Sequence, residues 1–560
     1  MIQKPRTLLV GLDSACWQYI EPLLQSNRLP TLQHVMSQGT WGILHSTMPP
    51  WTPAAWSTII TGKNPGKHGV FDMIWRLPGT YDMIPVNAQI RQGTPFWQRL
   101  NGCGVRVGLV NVPFTYPPTA VEGFVVCGFG TPASAKDVAY PDQAQDWLQA
   151  QHEAYKPVVD ADLLKRGEPK EVFRAENGHQ ANLVEIALSL AKRHHIDILV
   201  INLMLTDHAN HKMPEMAQVE QALCETDKHL AELLQGFTPD HVMVISDHGS
   251  NRLKGNFMLE DWLRDHGYYV PAKRSPDEYG EALNWVLVQW FQEHYGWSGP
   301  LEQIVRRATR AVLSRLPRSW QQRFWHHLEQ IIPFAQARVE FRSEPDYEHT
   351  SVFPGSAHSG LLYLNRHDWE PQGTVTAEVQ AALLTELAEK LAEIVDPDTG
   401  EPLFSHVYRA EDVYTGQAVA HGPALILDSY DSAWNLQLRG HTAVVDQARD
   451  KYFVSGKDYG WHSRDGIFVF SGAAFAEGQS DCEAHLVDVA STLLYLYDVP
   501  IPEDYDGRVL TELMSPDFVA QHPICSQPGD TAVTEPIANP YAADEEETLF
   551  EYLKALGYME

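Results

Sequence analysis

Three runs of consecutive apolar residues along the chain each end in an aspartate. The runs are TLLVGLD, which ends at Asp13, IDILVINLMLTD, which ends at Asp207, and HVMVISD, which ends at Asp247. Continuous apolar runs rich in β-branched residues are typical of buried strands in parallel sheets. Helical patterns such as GHQANLVEIALSLAKRHH lie between them. The sequence therefore predicts an α/β fold with a mostly parallel sheet and helices on both faces, in which the three aspartates lie at the carboxyl ends of strands, where ligands bind.

The alternation of strands and helices breaks between about residues 265 and 350. Helical segments such as EALNWVLVQWFQEHYGW replace the strands there, and strand-like segments return with SGLLYLN, GPALILD and DGIFVFSG. We therefore predict a core made of residues 1–264 and 351–515, a helical cap inserted at residues 265–350, and a connector with an amphipathic tail at residues 516–560. The cap is rich in arginine, which fits either a solvated helix face or a surface that attracts an anionic substrate or lipid headgroup.

Composition narrows the class of protein. The 560 residues are 44% hydrophobic and 20% charged, as in globular proteins, and the formal net charge of −30 argues against a protein that coats nucleic acid. An anionic small molecule held by metal ions is compatible with that charge. The six cysteines include no C-x-x-C pair, so we interpret them as isolated thiols. The N-terminal residues lack a secretory apolar segment and no run reaches the ~18 apolar residues of a membrane span, so we predict a cytoplasmic protein without a transmembrane segment.

The stretch PPWTPAAWSTIITG, residues 49–62, has the pattern of a helix start. Threonine is a favoured N-cap and proline a favoured first helical residue, so Thr52 followed by Pro53 predicts a capping role for the Thr52 hydroxyl. Backbone N–H groups and the helix dipole attract anions at such a position. The same hydroxyl would therefore suit a nucleophile that attacks phosphorus.

Five side chains at or near the predicted strand ends are of the types that bind zinc or manganese. They are Asp13, Asp207, His211, Asp247 and His248. In TDHANH, Asp207 and His211 are four residues apart, so a helix would place both on one side. Each residue alone has a simpler interpretation, since an aspartate at a strand end can cap a helix and SDHG can form a turn. Their joint placement at the strand ends favours a metal site.

Several segments spread over nearly the whole chain match one family pattern. They are LLVGLDSACWQYIEPLLQSNRLPTLQHVMSQGTWG, MPPWTPAAWSTIITGKNPGKHGVFD, NVPFTYPP, TDHANH, SDHGS, GWHSRDGIFVFSG and LKALGYME. In these segments the chain resembles the alkaline phosphatase superfamily, in its type I phosphodiesterase/nucleotide pyrophosphatase branch. The resemblance implies an alkaline-phosphatase-like core and a metal-dependent hydrolase that cleaves phosphoesters, with phosphodiesters favoured, through a phosphothreonine on Thr52.

The resemblance also implies two divalent metal ions, zinc or alternatively manganese, bridged by the phosphoryl group of a small-molecule substrate. The residues that match the family's first metal site are Asp13, Thr52, Asp247 and His248. The second site is matched by Asp207, His211 and a late histidine. We favour His462 in GWHSRDGIFVFSG for that position, because the alternative, His358 in PGSAHSGLLYLN, lies in a segment that resembles a non-ligating region.

One departure from the family pattern affects the choice of reaction. Nucleotide pyrophosphatases have an asparagine after the H-G-I segment to hold a phosphoryl oxygen, whereas this chain has HGVFDM with Asp72 and Met73. The missing amide argues against nucleotide pyrophosphatase activity, and Asn111 in NVPFTYPP would either replace it or shape its own loop. Phosphomutase and phosphonate hydrolase chemistry, and a metal-binding scaffold without turnover, are the alternative functions. The sequence does not predict the oligomeric state.

Overall fold

A computed structural model describes residues 4–151, 155–272, 345–356, 358–438, 448–450, 452–455, 460–530 and 539–558. The predicted cap at 265–350 falls largely on residues 273–344, which lie outside the described residues. The division of the chain into core, cap and tail therefore stays a prediction.

A large sheet forms the centre of the fold, with ten strands among the described residues. Its parallel strands, in spatial order, are His241–Ile245, Thr7–Leu12, Ile198–Leu203, Val107–Val112 and Gly123–Cys127. The strands that complete it are Asp465–Gly472, Gly39–His45, Gly478–Gln479, Ala484–His485 and Ala139–Tyr140. The three apolar runs of the sequence are thus neighbouring parallel strands, which confirms the predicted mostly parallel α/β sheet.

Helices cover both faces of this sheet because successive side chains of each buried strand point to opposite sides. Leu8 and Val10 pack on one face, whereas Leu9 packs on the other. The helices on the first face are Trp17–Gln25, Pro30–Met36, Asp142–Gln151, Pro169–His194 and Met216–Phe237. Those on the second face are Thr52–Thr61, Phe96–Gly102, Ala161–Arg166, Leu205–Lys212, Leu486–Tyr495 and Ala543–Leu556. Of the helices described, none has the length and apolar character to cross a membrane.

A second unit of the fold consists of two smaller sheets and two helices, Leu259–Asp265 and Ala377–Ala392, which share a separate hydrophobic core. One sheet consists of Val352–Pro354, Leu361–Leu364, Leu425–Asp428 and His406–Arg409. The other consists of Trp434–Gln437, Gly255–Met258, Phe453–Ser455 and Ala448–Asp450. Of the three strand-like segments predicted after residue 350, Asp465–Gly472 joins the central sheet and the other two lie in this second unit.

The remaining elements are short. The strand pairs are Ile74–Arg76 with Met83–Pro85, Gly249–Arg252 with Gly460–Ser463, and Ile501–Pro502 with Ser526–Gln527. The short helices are Pro65–His68, Ala410–Val413, Gln417–His421, Thr511–Leu513 and Pro516–Gln521. The pair that contains Gly460–Ser463 matters most here, because it carries His462 to the carboxyl edge of the central sheet.

Candidate active site

The three aspartates meet at the carboxyl edge of neighbouring parallel strands, as predicted. Asp13 directly follows strand Thr7–Leu12, and Asp247 lies just beyond strand His241–Ile245. Asp207 lies in the first turn of the helix that follows Ile198–Leu203. All three side chains are buried, with at most 1% of the surface exposed. The topology therefore brings together carboxylates that are far apart along the chain.

Thr52 is the first residue of helix Thr52–Thr61, and the preceding Trp51 is the N-cap. The predicted capping role of Thr52 is wrong: the helix starts one residue early, since the amide of Ala55 already donates to the carbonyl of Trp51 at 2.8 Å. From that position the Thr52 hydroxyl is directed at a histidine of the candidate site. The Thr52 Oγ1 lies 3.3 Å from Nε2 of His248, which leaves the oxygen available for chemistry rather than for capping.

The first group of candidate ligands consists of His248 and the two carboxylates near it, Asp13 and Asp247. The Nε2 of His248 lies 3.6 Å from Oδ1 of Asp13 and 3.4 Å from Oδ2 of Asp247. Its Nδ1 donates to the carbonyl of Gly249 at 3.1 Å, so Nε2 carries the lone pair. The Nδ2 of Asn202 donates to the other oxygen of Asp13 at 2.8 Å. One oxygen of Asp13 is thus held by the protein and the other faces the site.

The second group is formed by Asp207, His211 and His462. The Asp207 Oδ1 lies 3.1 Å from Nε2 of His211 and 3.5 Å from Nε2 of His462, and the two imidazole nitrogens are 3.0 Å apart. The predicted helical spacing of Asp207 and His211 is confirmed, since both lie on helix Leu205–Lys212. His462 stands opposite Ser250 in its strand pair. Its Nδ1 donates to the carbonyl of Pro50 at 2.9 Å, which directs Nε2 towards the group.

His358 lies at the edge of this arrangement. Its Nδ1 donates to the carbonyl of Leu436 at 2.6 Å, and its ring packs on Trp461 with the centroids 4.7 Å apart. Among the described residues, the atoms that converge as possible metal ligands form two sets, one with Asp207, His211 and His462 and one with Asp13, Asp207 and His248. His462 belongs to the former set, whereas His358 and Asp247 belong to neither.

The electrostatics of the site fit divalent cations. Three buried carboxylate oxygens have no hydrogen-bond partner among the described atoms: Oδ1 of Asp13, Oδ1 of Asp207 and Oδ2 of Asp247. Burial, together with Asp247 and Asp207, raises the pKa of Asp13 well above its usual range, and burial with Asp207 raises the pKa of Asp247 to about 8. Charges buried without partners are costly, so a carboxyl of this kind either keeps its proton or is neutralised by a cation, and the arrangement fits metal binding.

The imidazoles are correspondingly poor at holding protons. Burial and the neighbouring His462 lower the pKa of His248 to about 4. Burial also lowers the pKa of His462. At neutral pH both rings therefore offer a nitrogen lone pair, the form in which histidine binds metal. Burial raises the pKa of Asp207, but the two neighbouring imidazoles, His211 and His462, outweigh this and hold it well below its usual range.

Two residues of the site were not predicted from the sequence. Asn202 is the polar residue in the otherwise apolar strand Ile198–Leu203, which was a signal available in the sequence. Tyr558 follows the last described helix, and its hydroxyl donates to Oδ2 of Asp207 at 2.5 Å. The apolar pattern of the tail predicts that it packs against the protein, but that pattern contains nothing about the surface it packs on.

Two other residues singled out in the sequence have structural roles. Asn111 donates through Nδ2 to the carbonyl of Asn202 at 2.8 Å, so it links the neighbouring strands Val107–Val112 and Ile198–Leu203 near their carboxyl ends. Asp72 accepts hydrogen bonds from the amide of Ser356 at 2.8 Å and from the amide of Met73 at 2.7 Å. Through its bond to Ser356, Asp72 links the second unit to the part of the fold built on the central sheet. Because its side chain is a carboxylate, it supplies no amide donor.

Solved structures with the same fold have low sequence identity to this chain. Wild-type alkaline phosphatase PafA aligns with a TM-score of 0.51 at 13% identity, covering 92% of this chain and 100% of that chain. Phosphonoacetate hydrolase from Sinorhizobium meliloti 1021, solved with phosphonoformate, aligns with a TM-score of 0.50 at 15% identity, covering 88% of this chain and 96% of that chain. These likenesses confirm the alkaline-phosphatase-like fold. No curated protein sequence matches the chain.

A family model covers more than half of the sequence. The model of type I phosphodiesterase/nucleotide pyrophosphatase matches residues 7–335. This stretch contains Thr52 and five of the six other candidate ligands: Asp13, Asp207, His211, Asp247 and His248. The chain therefore belongs to the type I phosphodiesterase/nucleotide pyrophosphatase family, and it is a hydrolase of phosphoester bonds.

Proposed function

We propose that this hydrolase cleaves small-molecule phosphodiesters with Thr52 as its nucleophile. The observation that carries the proposal is the position of Thr52 Oγ1, 3.3 Å from His248 Nε2. The oxygens of Asp13 and Asp247 that lack hydrogen bonds face the same nitrogen. A hydroxyl placed among metal-binding groups at a helix N-terminus is suited to attack an anionic phosphoryl group.

Two divalent ions, zinc in the first instance and manganese as the alternative, complete this proposal. The residues that would hold the first ion are Asp13, Thr52, Asp247 and His248. Those that would hold the second are Asp207, His211 and His462. Such a pair of cations neutralises the phosphoryl oxygens and stabilises both the attacking and the leaving oxygen. The imidazole nitrogens and the unpaired carboxylate oxygens form a donor set of the kind that zinc prefers.

The reaction then follows from the position of Thr52. The oxygen of Thr52 would attack phosphorus, so that the bond from Thr52 to phosphorus forms as the bond to the leaving oxygen breaks, and the proton of the hydroxyl departs with the leaving group as the alcohol. Water would then attack phosphorus, which releases the phosphomonoester and returns a proton to the Thr52 oxygen. The burial of Thr52, with none of its surface exposed, keeps bulk water away from the nucleophile.

The sequence pattern disfavours nucleotide pyrophosphatase activity. Asp72 occupies the sequence position at which the family resemblance implies an amide donor, and it accepts hydrogen bonds from two backbone amides. A carboxylate so engaged cannot hold a phosphoryl oxygen.

The cytoplasmic location inferred from the N-terminal sequence stays a prediction.

Metal removal tests the proposed function directly. Protein dialysed against a chelator should lose its activity on bis-p-nitrophenyl phosphate, and zinc or manganese should restore it, because the buried carboxylates cannot bind an anionic substrate without cations. Hydrolysis is followed by nitrophenol release, with p-nitrophenyl phosphate and a phosphonate as parallel substrates. Activity that survives complete metal removal contradicts the proposal. Absence of turnover on every substrate, with metal bound, supports the scaffold instead.

The choice between His462 and His358 is testable by metal content. We expect His462→Ala to lose one of two bound ions and to lower kcat/KM by more than the roughly 10–100-fold that removal of a hydrogen-bonding partner of a ligand costs. His358→Ala, which removes a ring packed on Trp461, should retain both ions. Elemental analysis of both purified variants measures how many ions each one binds. Loss of an ion from His358→Ala but not from His462→Ala would assign the last ligand position to His358.

A further inference from the structure

The last described segment of the chain reaches one of the proposed metal ligands. The hydroxyl of Tyr558 donates to Oδ2 of Asp207 at 2.5 Å. None of the Tyr558 side chain is exposed, and Asp207 is equally buried. The other oxygen of Asp207, Oδ1, has no hydrogen-bond partner within the described part of the chain and lies 3.1 Å from Nε2 of His211. The two carboxylate oxygens therefore have different roles, one bound by the tyrosine and one directed at the imidazoles.

The position of Tyr558 is fixed by the turn that ends the preceding helix. Helix Ala543–Leu556 ends at Gly557, whose φ of +95° lies in the left-handed region. The amide of Tyr558 donates back to the carbonyl of Leu553 at 3.1 Å, and the amide of Gly557 to that of Lys554 at 3.2 Å. This pair of bonds is a Schellman motif, which reverses the chain after a helix. The helix is anchored by buried Leu553 and Leu556, so the turn has a fixed position.

The ring of Tyr558 also contacts the second group of candidate ligands. Its centroid lies 5.0 Å from that of His211 and 5.9 Å from that of His462. The ring centroid also lies 6.0 Å from that of Trp51, the residue before Thr52. The tyrosine thus touches every member of the group formed by Asp207, His211 and His462, by a hydrogen bond or by ring packing.

We propose that Tyr558 is a positioning residue for the second metal site. By holding Oδ2 of Asp207 it fixes the carboxylate so that Oδ1 faces the space shared with His211 and His462. Hydrogen-bonding partners of this kind orient metal ligands and commonly contribute 10–100-fold to metal affinity. This inference rests on the proposed function, since it assigns a role within the same metal site.

The test compares Tyr558→Phe with Tyr552→Phe. Tyr552 lies on the helix that precedes Tyr558, is also buried, and packs on Phe129 with the ring centroids 6.1 Å apart, as Tyr558 does at 5.7 Å. Zinc affinities are measured by competition with a chromogenic chelator, which needs no turnover. We expect Tyr558→Phe to weaken one of the two zinc ions by about 10–100-fold and to leave the other nearly unchanged. Tyr552→Phe should bind both ions as the parent protein does.

The outcomes separate this inference from the proposed function. If the parent protein binds no zinc in the competition assay, the metal site itself is wrong. If the parent binds two ions and Tyr558→Phe binds both with the same affinities, the positioning role alone is wrong. As a second variant, Gly557→Ala adds a methyl group that meets nothing within 4 Å but strains the turn. It should weaken the same ion as Tyr558→Phe, and unchanged binding would overturn the placement by the turn.

Discussion

Replacing Thr52 with alanine should lower the rate of phosphodiester hydrolysis by about 10³-fold or more, because the variant lacks the oxygen that attacks phosphorus. The change removes a buried hydroxyl 3.3 Å from His248 but none of the other proposed ligands. Metal binding at the second site should therefore persist. Thr52→Ser, which keeps a hydroxyl, should retain measurable activity, and incubation of the parent protein with substrate should give phosphothreonine detectable by mass spectrometry.

Thr61 provides the matched control for this experiment. It lies on the same helix and is fully buried, but its hydroxyl donates to the carbonyl of Ser57 at 2.7 Å. Thr61→Ala should therefore hydrolyse the substrate within about twofold of the parent rate. Equal rates for Thr52→Ala and the parent, with both ions bound, would remove Thr52 from the mechanism and favour direct attack by water.

Replacing Asp247 with asparagine should abolish activity and yet stabilise the metal-free protein. Burial and the nearby Asp207 raise the pKa of Asp247 from 3.8 to about 8, so its charged form is disfavoured in the folded state. A carboxyl with a raised pKa favours folding below its unfolded value and loses this contribution as the pH rises through the folded value. The stability difference between variant and parent should thus grow between pH 3.8 and about 8.

Thermal unfolding with and without zinc measures this effect. With chelator, Asp247→Asn should unfold at a higher temperature than the parent at pH 7, whereas added zinc should raise the parent's unfolding temperature and the variant's by less. Asp72→Asn is the control, because Asp72 is equally buried but accepts hydrogen bonds from Ser356 and Met73. It should destabilise the protein and leave the zinc response intact. A metal-free Asp247→Asn that is less stable than the parent contradicts the interpretation.

Most of the fold and the ligands near strand ends could be predicted from the sequence, because local patterns determine them. The runs before Asp13 and Asp247 are apolar on both faces, which is specific for central parallel strands. The spacing of Asp207 and His211 is a property of one helical turn. In these cases the information lies within a few residues of the side chain concerned.

The features that could not be predicted depend on contacts between distant segments. The helix start at Thr52 was missed because Thr-Pro fits a cap as well as a first turn, and the partner of the Thr52 hydroxyl, His248, is 196 residues away in the sequence. The hydroxyl of Tyr558 reaches Asp207 across 351 residues. Residues 361–364 form a strand as expected, but their place in the second unit follows from pairing with residues 425–428. Local hydrophobic pattern carries no information about such partners.

The place of strand Asp465–Gly472 in the central sheet has a consequence for protein synthesis. This strand lies between Gly39–His45 and His241–Ile245 and pairs with both. While the ribosome is still making the chain before residue 465, those two strands have backbone edges without their final partner. Unpaired apolar edges are prone to join other chains. The nascent polypeptide therefore has these two strand edges unpaired, and so open to aggregation, while more than 200 residues, from 246 to 464, are added.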